Sequence, residues 1–256
     1  MKKNITILLL AALFLSSCAD SWLDRQYQGG NLSQEQYDKL SSEKMEGTLL
    51  GLYAMIYTMG GDRHDEFGQR SIDLWGDLLS GDIALTNKTY GWLYTDEQML
   101  TVSARTGTIW SFYYNMLHNI NTIVFSIENS SKIMNLIAEN GYPGDGGAYT
   151  YTEEETMYAL YMAQALAMRG YCYGNLARWY TPVMKSSYMT GYTIDTYKCI
   201  PLYTESNMNS PQALSTSAEV YNRVFSDLST SIMLFEKFGA YYEEVQGSKY
   251  NRDTKL

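Results

Sequence analysis

The stretch TEEETMYALYMAQALAMRGYCYGNLARWYTP, Thr152 to Pro182, decides the fold class. Thr152 and Glu155 have capping-box spacing: the Thr hydroxyl accepts the Glu backbone N–H while the Glu carboxylate accepts the Thr backbone N–H, so a helix begins here. Glu153, Glu154 and Glu155 lie at the positive end of that helix's dipole, which accounts for three consecutive acids without a metal or catalytic role. Pro182 cannot continue the helix, which is therefore predicted to run to about Tyr180. Inside it Ala159, Ala163, Ala165, Ala167 and Gly170 carry little bulk, so neighbouring helices can approach closely. Such a helix belongs in a stack of helical hairpins.

Outward from this helix, Thr216 and Glu219 repeat the capping box before a last helix, Ala218 to Phe238, with an apolar stripe of Val220, Val224, Leu228 and Ile232. Towards the N-terminus, Ile109, Tyr113, Met116, Leu117, Ile120, Ile123, Val124 and Ile127 form one stripe over Thr106 to Ser130, with Asn115, Asn119 and Asn121 on its polar face. A shorter helix follows from Lys132 to Glu139. Met45, Leu49, Leu52, Tyr53 and Ile56 predict a helix from Glu43 to Met59, stopped by Gly60-Gly61-Asp62. Ile72 to Leu85 reads as a short helix passing into irregular backbone, because Gly76 and Gly81 interrupt it. No run of alternating strands is present. Helix pairs joined by long loops without a strict period define an all-α, irregular helical repeat.

The first residues form a separate unit. Lys2-Lys3 and an apolar run from Ile5 to Leu15 are too short to span a bilayer and have the layout of a secretory signal. Leu15-Ser16-Ser17-Cys18 resembles a bacterial lipobox, which implies cleavage after residue 17 and a diacylglycerol on Cys18. An ordinary signal followed by a cysteine without lipid is the competing reading. Residues 18–42, polar with Gly29-Gly30, read as a tether, and residues 43–256 as the helical domain. Removing residues 1–17 leaves 17 basic against 28 acidic residues, a net charge of −11, which disfavours nucleic acid or an anionic lipid surface as a partner. No second stretch is long and apolar enough to enter a membrane, so the lipid is the only predicted anchor.

Few residues suggest bond-breaking chemistry. A glycoside hydrolase needs two carboxylates across a cleft; Asp77 with Asp82, or Asp65 with Glu66, are the available pairs, and the second lies in an open loop. His64 beside Asp62 and Asp65 lacks the three or four spaced ligands of a zinc site. His118, in a helix next to Asn119, reads as a hydrogen-bonded structural histidine. Cys172 and Cys199 are compatible with a disulfide in an oxidising compartment, but Cys172 within a helix reads as a small buried hydrophobe, free rather than bridged. No cofactor or metal is predicted. The chain is rich in aromatics, with 24 Tyr and 5 Trp, whose apolar faces and polar tips suit half-wet surfaces such as sugar platforms, although most are expected in the core.

Four segments resemble the SusD/RagB family of nutrient-binding outer-membrane lipoproteins. They are Cys18-Ala19-Asp20-Ser21-Trp22-Leu23-Asp24; Trp110-Ser111-Phe112-Tyr113-Tyr114 leading to His118-Asn119-Ile120-Asn121; Ala163 to Tyr171 with Leu176, Tyr180 and Pro182; and Ile200-Pro201-Leu202 with Ser217 to Tyr221 and Asp227-Leu228. Thr181 and Gly170 depart from the family's usual Gly and Ala. Family members are considerably longer, so the resemblance implies an N-terminal portion, incomplete at the C-terminus.

The resemblance implies a tetratricopeptide-like scaffold at the outer face of the outer membrane. It would capture oligosaccharides or similar nutrients for a partner TonB-dependent, SusC-like transporter, without catalysis. A neutral glycan needs flat apolar faces and hydrogen-bonding groups on loops held by rigid helices. Trp92, Tyr90, Asn87 and Asp82 form the predicted ligand patch, with a capping role over helix ends as the alternative for Trp92. Arg70, Asp73 and Trp75 are weaker candidates, the two charged residues reading as salt-bridge partners. A docking scaffold that binds no ligand is the other reading.

Overall fold

The computed structural model describes residues 42–59, 67–83, 104–182 and 191–246. Among them are helices α1 (Ser42–Met55), α2 (Gln69–Ser80), α3 (Ala104–Ser131), α4 (Ile133–Asn140), α5 (Glu153–Tyr180) and α6 (Ser217–Gln246), with strands β1 (Lys198–Pro201) and β2 (Leu214–Thr216). The predicted signal, the predicted tether up to residue 41, Asp62 to Glu66, Asn87, Tyr90 and Trp92 lie outside the described residues.

Helix α5 is the centre of the stack, with α6 on one side, α3 on another and α1 beside α3. Both long neighbours run antiparallel to it. Residues 151, 163 and 169 of the α5 side meet 241, 231 and 227 of α6 in that order, while 169 and 180 meet 121 and 106 of α3. The capping box forms as predicted: Glu155 N donates to Thr152 Oγ1 at 3.2 Å and Thr152 N to Glu155 Oε2 at 2.8 Å. Ala159, Ala163 and Ala165 are fully buried. Gly170 is the tightest crossing, since a Cβ there would lie 2.8 Å from Leu228 Cγ.

The buried seam of α6 differs from the predicted stripe. Val220, Val224, Asp227, Ser231, Leu234 and Phe238 face the core, while Ile232 is 57% exposed and Leu228 only partly covered. Four-residue steps drift round a helix of 3.6 residues per turn, whereas alternating four and three keep to one line. Two polar residues lie on that line, so hydrophobicity alone could not trace it. Each is satisfied: Ser231 Oγ donates to the Ala163 carbonyl at 2.7 Å, and Asp227 accepts from Arg169. The helix also continues past Phe238 to Gln246.

Helix α1 stops at Met55 rather than Met59 because Ile56, Tyr57 and Thr58 turn back to carbonyls three residues earlier. The Ile56 carbonyl instead accepts the Gln69 N–H at 2.8 Å, starting α2 three residues before its predicted first residue. Gly68 makes that junction possible. Its φ is +61°, and a Cβ would lie 2.0 Å from the Ile56 oxygen. Gly76 sits inside α2, and Gly81, left-handed with φ +81°, closes it. Lys132, also left-handed, divides α3 from α4.

A short antiparallel ribbon, which the sequence did not predict, pairs Lys198 with Thr216, Ile200 with Ser215 and Pro201 with Leu214 across a bulge. With three or four residues per strand it gives no period to recognise, and Pro201 is tolerated because both strands of a two-stranded sheet are edges. The ribbon feeds directly into α6 through the Thr216–Glu219 capping box. The architecture is predominantly helical, in agreement with the all-α expectation.

Candidate ligand-binding site

Beside the core stripe of α3 runs a second line, Trp110, Tyr114, Leu117, His118 and Asn121, whose three- and four-residue spacings place them on one helix face. Opposite stand Pro201 at the end of β1 and Tyr203 and Met208 from the loop that follows it. Between the two walls lies a cleft of about 310 Å³. Its aromatic rings are fixed by each other. Trp110 lies 4.6 Å from Tyr114, tilted by 38°, and 5.1 Å from Tyr180 edge-on, while Tyr114 meets Tyr203 edge-on at 5.8 Å.

The loop wall is pinned from below. Tyr173 Oη donates to the Tyr203 carbonyl at 2.6 Å and accepts the Tyr203 N–H at 2.7 Å, and Asn121 Nδ2 donates to the same carbonyl at 3.0 Å. Tyr114 Oη donates to the Pro201 carbonyl at 2.8 Å. Burial pushes the Tyr114 and Tyr173 phenols well above their ordinary values, so both remain hydroxyl donors. Arg169 supplies a third pin. Its guanidinium, 3% exposed, donates to Asn121 Oδ1 at 3.1 Å and to Glu205 Oε2 at 2.6 Å. Burial, the largest single influence, would raise the Glu205 carboxyl, but the Arg169 charge and hydrogen bond, a backbone N–H and the Arg223 charge together outweigh it and hold that carboxyl below its usual range.

No described residue lining the cleft carries a carboxylate, and the nearby Glu205 is committed to Arg169. Among the described residues no three of His, Cys, Asp and Glu gather into a group that could hold a metal ion. The cleft offers aromatic faces, an imidazole and a phenol. Such a set can stack on and hydrogen-bond a ligand. A second hollow of about 530 Å³, bounded by Met55, Met59, Ser111, Phe112 and Asn115, has one aromatic among its described lining residues, and that residue is only 7% exposed.

Of the predicted ligand residues, Asp82 alone lies within the described residues. It is exposed just after α2 and accepts from Ser80 Oγ at 2.6 Å. Trp75 is fully buried and belongs to the core rather than to a ligand patch. Asp73 pairs with Arg178 at 3.5 Å, and the Arg70 guanidinium stacks 5.4 Å over the Tyr57 ring, so the two predicted salt-bridge residues take separate partners. His118 departs from the structural reading as well: it is exposed on the cleft wall, and its imidazole has no hydrogen-bond partner among the described residues. Asn121, predicted on a polar face, is fully buried beneath the cleft. The Trp110, Tyr114, His118 spacing is visible in the sequence; the opposing wall is not. Cys172 and Cys199 are both free and buried.

Residues 31–248 match the SusD-like family described as "Starch-binding associating with outer membrane". The chain belongs to the SusD-like family. The match bears out the resemblance carried by the motifs from Trp110 to Leu228, and the all-α SusD-like fold with it. A solved structure similar to this SusD-like chain is a SusD-like carbohydrate binding protein from Bacteroides vulgatus ATCC 8482, with a TM-score of 0.54 and 17% identity, covering 84% of this chain and 46% of that one. The chain therefore spans about half the length of that protein. At this identity the likeness is one of fold. No curated protein matches the chain.

Proposed function

We propose that this SusD-like chain is a lipid-held protein at the cell exterior that captures oligosaccharides or similar nutrients and passes them to a TonB-dependent, SusC-like transporter in the outer membrane. The observation that carries this reading is the family match over residues 31–248, a family described as starch-binding and outer-membrane associated. The similar solved structure, that of a carbohydrate binding protein, agrees with it. Cys18 is the proposed lipid attachment site, and no helix among the described residues is long and apolar enough to cross a membrane, which is compatible with a lipid anchor. Trp92 and Tyr90 are the proposed sugar platform, with Asn87 and Asp82 bonding hydroxyls. Binding without turnover is proposed because the described residues of the aromatic cleft include no carboxylate pair.

Calorimetry on the full chain in detergent, titrated with starch-derived and other neutral oligosaccharides, tests the proposal. Saturable heat without product formation supports capture, and a reduction of that heat in Trp92→Ala supports the Trp92 platform. Sugar cleavage would instead reveal a hydrolase; silence combined with co-purification of a transporter barrel would identify a docking scaffold. Surface labelling of intact cells tests the location, and Asp20→Ala with Asp24→Ala tests whether those acids direct export.

A further inference from the structure

We infer that the cleft between α3 and the loop after β1 is a second carbohydrate subsite, built from other residues than those proposed for the Trp92 platform, and that it takes one neutral pyranose ring. This rests on the carbohydrate-binding reading. Its volume of about 310 Å³ lies at the low end of small-molecule sites, roughly 300–1,000 Å³, which suits a single ring rather than an extended chain.

The wall chemistry matches a sugar's two kinds of surface. Trp110 and Tyr114, both half-buried and braced at 4.6 Å from each other, provide apolar area for the C–H face of a pyranose. His118 and the Tyr203 hydroxyl, which have no hydrogen-bond partner among the described residues, can exchange hydrogen bonds with ring hydroxyls. Beneath them the polar groups are already satisfied. Asn121 spends its amide on Tyr203 and Arg169, and Tyr114 spends its hydroxyl on Pro201. The floor therefore presents no uncompensated charge, and a neutral ligand enters without desolvating an ion. Because the walls come from a 28-residue helix and a loop tied at three points, the site is formed before ligand arrives.

The test is NMR on the full chain in detergent, following the Met208 methyl and His118 imidazole signals while glucose, galactose, mannose, xylose and maltoheptaose are added. Saturable shifts of both signals are expected and should survive in Trp92→Ala; in Met208→Trp, which fills the cleft from its half-buried rim and removes the methyl probe, the sugar-induced His118 shift should disappear. His118→Ala should weaken binding about three- to tenfold, the loss of one hydrogen bond. If calorimetry shows sugar binding that Trp92→Ala abolishes while the Met208 and His118 signals never move, the cleft is not a subsite and the capture reading stands. Should no sugar of either panel bind, both readings fall. Shifts driven by an apolar additive such as indole but by no sugar would also overturn the assignment, marking a plain hydrophobic hollow.

Discussion

Arg169 of α5 and Asp227 of α6 meet through two parallel hydrogen bonds, Nε to Oδ2 at 2.7 Å and Nη2 to Oδ1 at 2.8 Å, with both side chains 3% exposed. Arg223, 3.4 Å from the same carboxylate, and Glu205, bound to the same guanidinium, extend the pair to the surface. One buried contact thus joins the two most extensively packed helices and the loop that walls the cleft.

Breaking this pair from one side leaves a buried charge. Asp227→Ala is expected to cost about 3–5 kcal/mol, as is typical when one partner of a buried ion pair is removed. The double replacement Arg169→Met with Asp227→Leu should recover much of that loss, because the desolvation penalty of both ions disappears. Urea denaturation of the parent and the two variants checks the order. A double variant no more stable than Asp227→Ala would show that the pair contributes net stability.

At Gly170, an added methyl would press on Leu228 Cγ and Cδ2 at 2.8 and 2.9 Å. Overpacking of this kind costs about 1–3 kcal/mol, so Gly170→Ala should lower the denaturation midpoint. Adding Leu228→Ala to it should restore part of the loss by opening room for the methyl. Absence of any rescue would mean that the helices part rather than the side chain.

Two glutamates should give opposite pH signatures. The Glu205 pKa is depressed, so its contribution is present in full above the ordinary glutamate value, about 4.3, and is lost as pH falls through the lower folded value. Glu205→Gln should therefore destabilise the protein at pH 7, with the deficit shrinking in acid. Burial raises the Glu128 carboxyl, only partly offset by the Met134 N–H, so its charge opposes folding at neutral pH and the penalty fades as pH falls through the raised value. Glu128→Gln should stabilise at pH 7 and be neutral in acid. Denaturation midpoints between pH 3 and 8 resolve both slopes, and parallel curves for mutant and parent would contradict the assignments.

Tyr173→Phe should loosen the cleft wall. It removes the hydroxyl that both donates to and accepts from the Tyr203 backbone, leaving that N–H unsatisfied at a cost of about 1–3 kcal/mol. Stability should fall by that order, and the Met208 methyl signal should broaden or shift without ligand. An unchanged Met208 signal would show that Asn121 and Arg169 hold the loop unaided.

The helices that the sequence located best are those with local punctuation. Thr152 and Glu155, or Thr216 and Glu219, are three residues apart, so their reciprocal bonds form wherever the segment lies in space. The Trp110, Tyr114, His118 line can be read from helical spacing as well, yet its meaning is hidden there. Whether His118 faces a neighbour or water depends on where residues 201–208 cross, some eighty residues further along the chain. Asn121 and Asp227 look like surface residues in the sequence because their partner, Arg169, is far from both.

By itself, then, the sequence determined the helical class, both capping boxes, the close-packed face of α5 and the motifs that mark the family, since each depends on residues within a few turns of one another. Tertiary structure decided the α6 seam through Asp227 and Ser231, the early end of α1 against Gly68, the short ribbon and the cleft beneath Tyr203. These rest on pairings between distant segments, where a polar side chain is stable in the interior only if a partner from another element reaches it, and no local pattern records that partner.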